Sequence, residues 1–154
     1  MDSSAGRPRV AFLEWLEPIY IGGHWVPEMI HCAGGEDALG TVGKASFRVP
    51  LQEVVEAEPE VLLIAPCGYA AKQARSEYES LELPGQWNAI PAVRNNRVYA
   101  LNANSYFSRP GPRLVTGIEI VAKVLQPTVA VSAEAESAIL PIPSRGAAAR
   151  AASI

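Results

Sequence analysis

The fold is decided by the stretch PEVLLIAPCGY, which spans residues 59–69. Its central run, Val61 to Ala65, is wholly apolar and too short for a helix, which is typical of a strand that is covered on both faces. The segment before it carries apolar residues at helical spacing and ends at Pro59, and residues 70–81 after it are rich in good helix formers. The stretch therefore predicts a strand between two helices, the repeating unit of a parallel α/β sheet.

Similar patterns recur on both sides of this stretch. Apolar runs predict strands at Val10 to Leu13 and at Val98 to Leu101, and Phe47 to Val49 is predicted as a short edge strand. Apolar residues at helical spacing predict helices at Val26 to Ala33 and at Leu114 to Leu125. This alternation predicts an α/β fold, a three-layer lobe around a parallel, Rossmann-like sheet.

The chain length allows one domain of ordinary size with flanking segments. Residues 1–8 are polar and contain Gly and Pro, so they are predicted as a flexible N-terminus. Residues 9–126 form the predicted domain. Residues 127–154 are rich in Ala, Ser, Pro and Glu and poor in large apolar side chains, which predicts a disordered tail.

Charge and hydropathy exclude two classes of partner. The formal net charge is −3, and the Lys and Arg residues are scattered, so the sequence has no basic patch for nucleic acid. No apolar run reaches the roughly 18 residues that a membrane-spanning helix needs. The first ten residues lack the apolar segment of a secretory signal, which predicts a cytoplasmic location for the chain as written.

Six of the eleven aromatic residues lie just beyond three of the predicted strands. The carboxyl ends of parallel strands border the ligand crevice of an α/β sheet, so these residues predict a flat aromatic face for a large organic ligand. Arg109, in the loop before the last predicted helix, is a candidate for binding an anionic or carbonyl group. Burial in the core remains the alternative for the tryptophans. The six residues are Trp15, Tyr20, Trp25, Tyr69, Tyr106 and Phe107.

A second hypothesis is an enzyme or a metal-handling protein. Cys67 follows a strand and precedes a helix, where a thiol can act as a nucleophile, and His24 is the candidate base. Glu14, His24 and Cys67 are a candidate metal site, although no pair has the spacing of a familiar motif. Cys32 and Cys67 are predicted as free thiols. The sequence contains neither a phosphate-binding loop nor a dinucleotide motif.

Several motifs, in one order along the chain, are shared with a known family. They are RVAFLEWLEP (9–18), GHWVPEMI (23–30), AGGE (33–36), EPEVLLIAPCG (58–68), NRVYA (96–100) and YFSRPGPR (106–113). In these motifs the chain resembles the C-terminal lobe of cobalamin-binding proteins. These belong to the helical-backbone (class III) solute-binding proteins, which serve ABC importers of cobalamin, haem and iron–siderophore chelates. The resemblance covers about residues 9–126, and several ordered motifs are more specific than any one of them.

The resemblance implies two α/β lobes joined by a long helix, a ligand in the cleft between them, and binding without catalysis or a resident cofactor. Tyr20 matches an aromatic residue that packs on the corrin, and residues 46–48 lie where a second cleft aromatic residue is found. Tyr106, Phe107 and Arg109 match the loop that faces the ligand's side chains.

The resemblance also implies partners and a location. Glu53 matches an acidic residue that docks on arginines of the permease, so the expected partners are a cobalamin-like ligand and an ABC permease or a separate N-terminal lobe. Because the shared motifs belong to one lobe, the chain is interpreted as a truncated lobe, which would place the intact protein in the periplasm or cell envelope. A lobe that keeps its docking surface and has lost the ligand is a third hypothesis.

Overall fold

The structure, a computed structural model, describes residues 6–144, and within them every predicted strand and helix of the domain is present. The strands are β1 (Arg9–Leu16), β2 (Ile19–Ile21), β3 (Glu36–Asp37), β4 (Phe47–Arg48), β5 (Val61–Ile64), β6 (Val98–Leu101) and β7 (Ile139–Pro141). The helices are α1 (Val26–Cys32), α2 (Leu51–Ala57), α3 (Ala71–Ser80), α4 (Pro91–Arg94), α5 (Ala103–Tyr106), α6 (Arg113–Leu125) and α7 (Ala133–Ser137), and a 3-10 helix spans Gly85–Ala89.

The strands form one sheet with a parallel centre and antiparallel edges. Its order is β4-β2-β1-β5-β6-β7, and β3 pairs with the first residues of β1. Strands β1, β5 and β6 run parallel, whereas β2, β4 and β7 pair antiparallel to their neighbours. The α/β prediction is confirmed, and the sheet is mixed because the short turn after β1 returns as a hairpin, which can only give an antiparallel pair.

Both faces of the central strands are buried. On β1, Val10 and Phe12 join one apolar cluster, and the alternating residues Ala11 and Leu13 join the other. Helices α1, α5, α6 and α7 contribute to the first cluster, and α2, α3, α4 and the 3-10 helix contribute to the second. This burial on two sides explains why the strands read as continuous apolar runs in the sequence.

Arginines cap the C-terminal ends of three helices. Arg7 donates a hydrogen bond to the His31 carbonyl just before the end of α1 (2.7 Å), and Arg9 donates to Ala57 at the end of α2 (2.9 Å). Arg97 likewise donates to Val124 near the end of α6 (2.9 Å). Because these helices return antiparallel to the strands, their N-terminal ends point toward the opposite edge of the sheet, where the carboxyl ends of the strands lie.

The predicted disorder of residues 127–154 is wrong as far as residue 144. Helix α7 begins after Ser132, whose side chain accepts a hydrogen bond from the Ala135 amide, and β7 pairs with β6. Ala135, Ala138 and Ile142 are buried. The segment is ordered without large apolar side chains because its backbone pairs with the edge of β6. Residues 145–154 of the predicted tail and residues 1–5 of the predicted flexible N-terminus lie outside the described residues.

Candidate functional site: the aromatic edge of the sheet

Three side chains form a row across the antiparallel strands. Trp15 on β1 is the pairing partner of Tyr20 on β2, and Tyr20 is in turn the partner of Arg48 on β4. Residues directly opposite each other in antiparallel strands project from the same face and lie close together. Trp15 is 38% exposed and Tyr20 is 37% exposed, so both rings are available to a ligand.

Tyr69 extends this row on the other side of Trp15. The two ring centroids are 5.5 Å apart and the rings meet edge to face, at 73°. Tyr69 is half-buried and follows β5 through a turn closed by its own amide, which donates to the Pro66 carbonyl (3.0 Å). We call Trp15, Tyr20 and Tyr69 the aromatic platform.

Arg109 lies beside the platform because two loops are joined there. The amide of Gly68 donates a hydrogen bond to the Ser108 hydroxyl (3.2 Å), and the amide of Asn104 donates to the Tyr69 carbonyl (3.1 Å). Arg109 follows Ser108 directly and is exposed. The predicted binding residues Trp15, Tyr20, Tyr69 and Arg109 are therefore brought to one edge of the sheet.

Tyr106 and Phe107 are not part of this surface, and the prediction that they offer stacking area is wrong for this structure. They are only 8% and 4% exposed, because α5 turns both rings into the core. Phe107 packs on Phe12 with ring centroids 5.2 Å apart. The Tyr106 hydroxyl donates to Glu134 (2.7 Å), and burial, together with this carboxylate, raises the pKa of Tyr106.

Trp25 is intermediate between platform and core. Its indole N–H donates to the Phe107 carbonyl (2.9 Å), the side chain is half-buried against the core, and the His24 ring lies 5.5 Å from the indole. The indole thus joins the segment at the start of α1 to the loop after α5. Part of the Trp25 ring therefore packs against the protein core, and only the rest of the ring can contact a ligand.

A clamp holds the loop that leads into β4. The Ser46 hydroxyl donates to Glu14 (2.5 Å) and accepts from the amide of Gly23 (3.1 Å). A Cβ atom on Gly23 would collide with the backbone of Ala45 and Ser46, so glycine alone permits this approach. The clamp fixes the start of β4 and hence the position of Arg48. Sequence reasoning missed it, although the Gly22–Gly23 pair was a signal of a close backbone approach.

β4 presents its two residues to opposite faces. Phe47 pairs with Ile21 and is 37% exposed, whereas Arg48 lies on the face of Tyr20. The resemblance implied a second cleft aromatic residue at positions 46–48. Phe47 is the aromatic residue there, and it is exposed, but it projects from the opposite face of the sheet to Tyr20.

An open groove of about 1030 Å³ adjoins the platform, with Trp15 and Tyr69 in its lining. Trp87 and Tyr78 also line it, and both are buried and joined by a hydrogen bond from the indole N–H to the phenol (2.9 Å). The carboxylates of the lining are those of Glu17, Glu77 and Glu82. The volume lies at the upper end of the range for small-molecule sites. Sequence reasoning missed the groove because its lining comes from segments that are distant in the sequence and meet only in the folded chain.

The residues of the enzyme and metal hypotheses are not assembled into a site. Within residues 6–144 no group of three His, Cys, Asp or Glu side chains could hold a metal ion, so the predicted set of Glu14, His24 and Cys67 is not a metal site. Glu14 instead accepts from Ser46. Cys32 and Cys67 are free thiols, as predicted, and both are exposed. Over the described part of the chain no hydrogen bond joins Cys67 to His24.

Comparison with known proteins identifies the family. The sequence profile of a family described as periplasmic binding protein matches residues 1–105. The chain belongs to the periplasmic binding protein family. Together with the relatives and structures below, this match confirms the resemblance to the class III solute-binding proteins of ABC transporters.

Two curated relatives are vitamin B12-binding proteins of Vibrio. The protein of Vibrio parahaemolyticus is 30% identical over 101 residues, which are 63% of this chain and 32% of that protein. The protein of Vibrio campbellii is 29% identical over 106 residues, which are 66% of this chain and 34% of that protein. The matched part thus spans about a third of each relative.

Solved structures of the same architecture support the fold. The periplasmic vitamin B12 binding protein of Vibrio cholerae superimposes with a TM-score of 0.62 at 24% identity, covering 80% of this chain and 46% of that one. A periplasmic heme binding protein of Pseudomonas aeruginosa gives a TM-score of 0.69 at 16% identity, covering 92% of this chain and 50% of that one.

These relatives are named as binding proteins, so they give no support to the enzyme hypothesis. Their family is periplasmic, so the expectation of a cytoplasmic location is not supported either. Within residues 6–144, no helix has both the length and the apolar character that crossing a bilayer requires.

Proposed function

We propose that this chain binds a corrinoid or a related planar metal chelate, without catalysis, as the C-terminal lobe of the substrate-binding protein of an ABC importer. The observation that carries the proposal is the aromatic platform. Trp15 and Tyr20 are paired across β1 and β2, Tyr69 packs edge-on against Trp15, and all three lie at the carboxyl edge of the central strands.

The platform suits a flat, partly apolar ligand. Aromatic rings bury a large area at a low cost in conformational entropy, and a hydroxyl or indole N–H leaves a polar end for the rim of the ligand. Trp15 and Tyr20 each leave more than a third of their surface exposed. A macrocycle lying on them would remove this apolar surface from water.

The relatives support the class of ligand. The matched Vibrio proteins are named for vitamin B12, and a structural neighbour is named for heme. Both ligands contain a roughly planar macrocycle around a metal ion. One lobe covers only one side of such a ligand, so we expect an affinity well below that of a cleft that encloses its ligand.

The proposal extends to a partner and a location. Glu53 is exposed in the first turn of α2, where its carboxylate is free to meet arginines of an ABC permease. A permease partner implies that the protein acts in the periplasm or cell envelope.

The experiment is a titration of the full chain with cyanocobalamin and with haem, followed by ligand absorbance and by calorimetry. We expect saturable binding of at least one of them, with a Kd on the order of 0.1 mM or tighter, and a loss of about tenfold or more in the variant Trp15→Ala/Tyr20→Ala. Val115→Ala is the matched control, because Val115 is an exposed apolar residue on α6. Flat calorimetry and unchanged spectra at millimolar ligand would refute the proposal.

A further inference from the structure

One arginine flanks the platform on each side along the sheet edge. Arg48 is the pairing partner of Tyr20, and Arg109 follows Ser108, whose hydroxyl bonds the residue before Tyr69. Both arginines are exposed. Across the sheet edge the order is thus one arginine, three aromatic rings and a second arginine.

Both guanidinium groups are free for a ligand. In the part of the chain that the structure describes, the side chains of Arg48 and Arg109 make no hydrogen bond or ion pair. Two carboxylates near the same edge are already engaged, because Glu14 accepts from Ser46 and Glu134 accepts from Tyr106. A guanidinium group carries five donors in a planar fork, which matches a carboxylate better than it matches a neutral amide.

The neighbouring groove has the opposite charge. Glu77 and Glu82 on its far wall, together with Glu17 in the turn after β1, give three carboxylates against Arg48 alone. An anionic group is therefore repelled by these three carboxylates and attracted to Arg48, which lines the same groove beside the platform. This asymmetry fixes where charged groups of a bound ligand can lie.

We propose that the ligand of this edge is an anionic planar chelate with ionised carboxylates at opposite sides of its rim, one bound by Arg48 and one by Arg109. The inference rests on the proposed function and narrows it to a carboxylate-bearing macrocycle, in preference to one whose rim carries neutral amides. The aromatic platform supplies contact area for either kind, and the two arginines supply the discrimination.

The test compares three diamagnetic ligands on the full chain. They are the zinc complex of a trans-bis(carboxyphenyl)porphyrin, whose two carboxylates stand at opposite sides of the ring, its bis-amide, which has the same shape without charge, and cyanocobalamin. We expect the dicarboxylate to bind about tenfold more tightly than the bis-amide, with an affinity that falls as sodium chloride is added. The variants Arg48→Gln and Arg109→Gln should each weaken binding of the dicarboxylate alone, and the double variant should remove the difference between the two porphyrins.

Arg94→Gln is the matched control. Arg94 is exposed at the end of α4, at the opposite edge of the sheet, where the Ala92 amide bonds the Pro59 carbonyl before β5. It should leave all three affinities unchanged. Equal binding of the dicarboxylate and the bis-amide, or insensitivity of the dicarboxylate to both arginine variants, would overturn the inference while leaving the platform and the proposed function intact. If no macrocycle binds, the proposed function itself fails.

Discussion

At the scale of the residue, Asp37 is a carboxyl group whose ionisation opposes folding. Its Oδ1 atom accepts from the amides of Leu39 (3.1 Å) and Gly40 (2.7 Å), whereas Oδ2 is buried and, within residues 6–144, has no hydrogen-bond partner. Burial raises the pKa of Asp37 above its ordinary 3.8 although the two amides lower it. Between the ordinary pKa and the raised pKa of the folded state, the folded state therefore binds more protons than the unfolded state. The free energy of unfolding consequently falls as the pH rises through that window.

Asp37→Asn removes this ionisation and keeps an oxygen for both amides. We expect the pH dependence contributed by Asp37 to disappear, with stability at neutral pH equal to or above that of the parent chain. Asp37→Ala also removes the two acceptor contacts and should cost about 1–2 kcal/mol at neutral pH. Urea unfolding across the acidic range measures both variants. An Asn variant with the parent's pH slope would contradict this account of the carboxyl group.

A variant of Tyr106 can test whether this side chain stabilises the core or binds the ligand. Tyr106→Phe removes the hydrogen bond to Glu134 and retains the buried ring, so we expect a loss of about 1 kcal/mol in stability and no change in the affinity for a macrocycle. Thermal unfolding and a binding titration on the same preparation provide the two readouts. Weaker binding at unchanged stability would show that this phenol reaches the ligand.

At the scale of the element, helices α1 and α6 approach closely at Gly117. A Cβ atom there would lie 2.5 Å from Cε of Met29 and 2.9 Å from the carbonyl oxygen of Tyr106. We expect Gly117→Val to cost about 2–3 kcal/mol, because the backbone of α5 cannot yield as a flexible side chain would. Gly85→Val is the control, since a Cβ atom on Gly85 meets nothing within 4 Å, and it should change stability by less than about 1 kcal/mol. Equal losses in the two variants, measured by urea unfolding, would refute the packing argument.

The clamp of Glu14, Ser46 and Gly23 holds the loop before β4 in place. Ser46→Ala removes two hydrogen bonds from this loop, so we expect faster amide exchange over residues 41–48 and weaker binding of any ligand that contacts Arg48. Ser137→Ala is the control, because the exposed Ser137 hydroxyl donates to the Glu134 carbonyl within α7, away from the groove. Hydrogen-exchange mass spectrometry gives the comparison. Unchanged exchange over residues 41–48 would mean that the clamp does not hold the loop.

Elements with long apolar runs or clear helical spacing could be predicted from the sequence, whereas the three-residue strands β2 and β7 could not. The apolar residues of strand β5 and helix α6 are enough to predict which of their side chains are buried. Strands β2 and β7 have three residues each, too few for a period to show, and they form because β1 and β6 offer free edges. Their positions depend on tertiary pairing, which a local pattern does not contain.

At the scale of the whole molecule, the location of the site could be predicted from topology, but the direction of each side chain could not. Trp15 and Tyr69 follow strands and meet at the carboxyl edge, as the rule for parallel sheets indicates. Phe107 also follows a strand, yet α5 rotates its ring into the core. The position of Arg48 beside Tyr20 depends on the register between β2 and β4. The sequence does not contain this register, so the row of Trp15, Tyr20 and Arg48 is visible only in the structure.

The most direct test of the central claim is to observe which indole group a macrocycle touches. The chain has three tryptophans, and only Trp15 is an exposed member of the platform, while Trp87 is 2% exposed beneath the groove. We expect a nuclear magnetic resonance titration with zinc protoporphyrin or cyanocobalamin to shift the indole signal of Trp15 most, through ring currents, and that of Trp87 least. A bound macrocycle that leaves the Trp15 signal in place and shifts residues elsewhere would contradict the account.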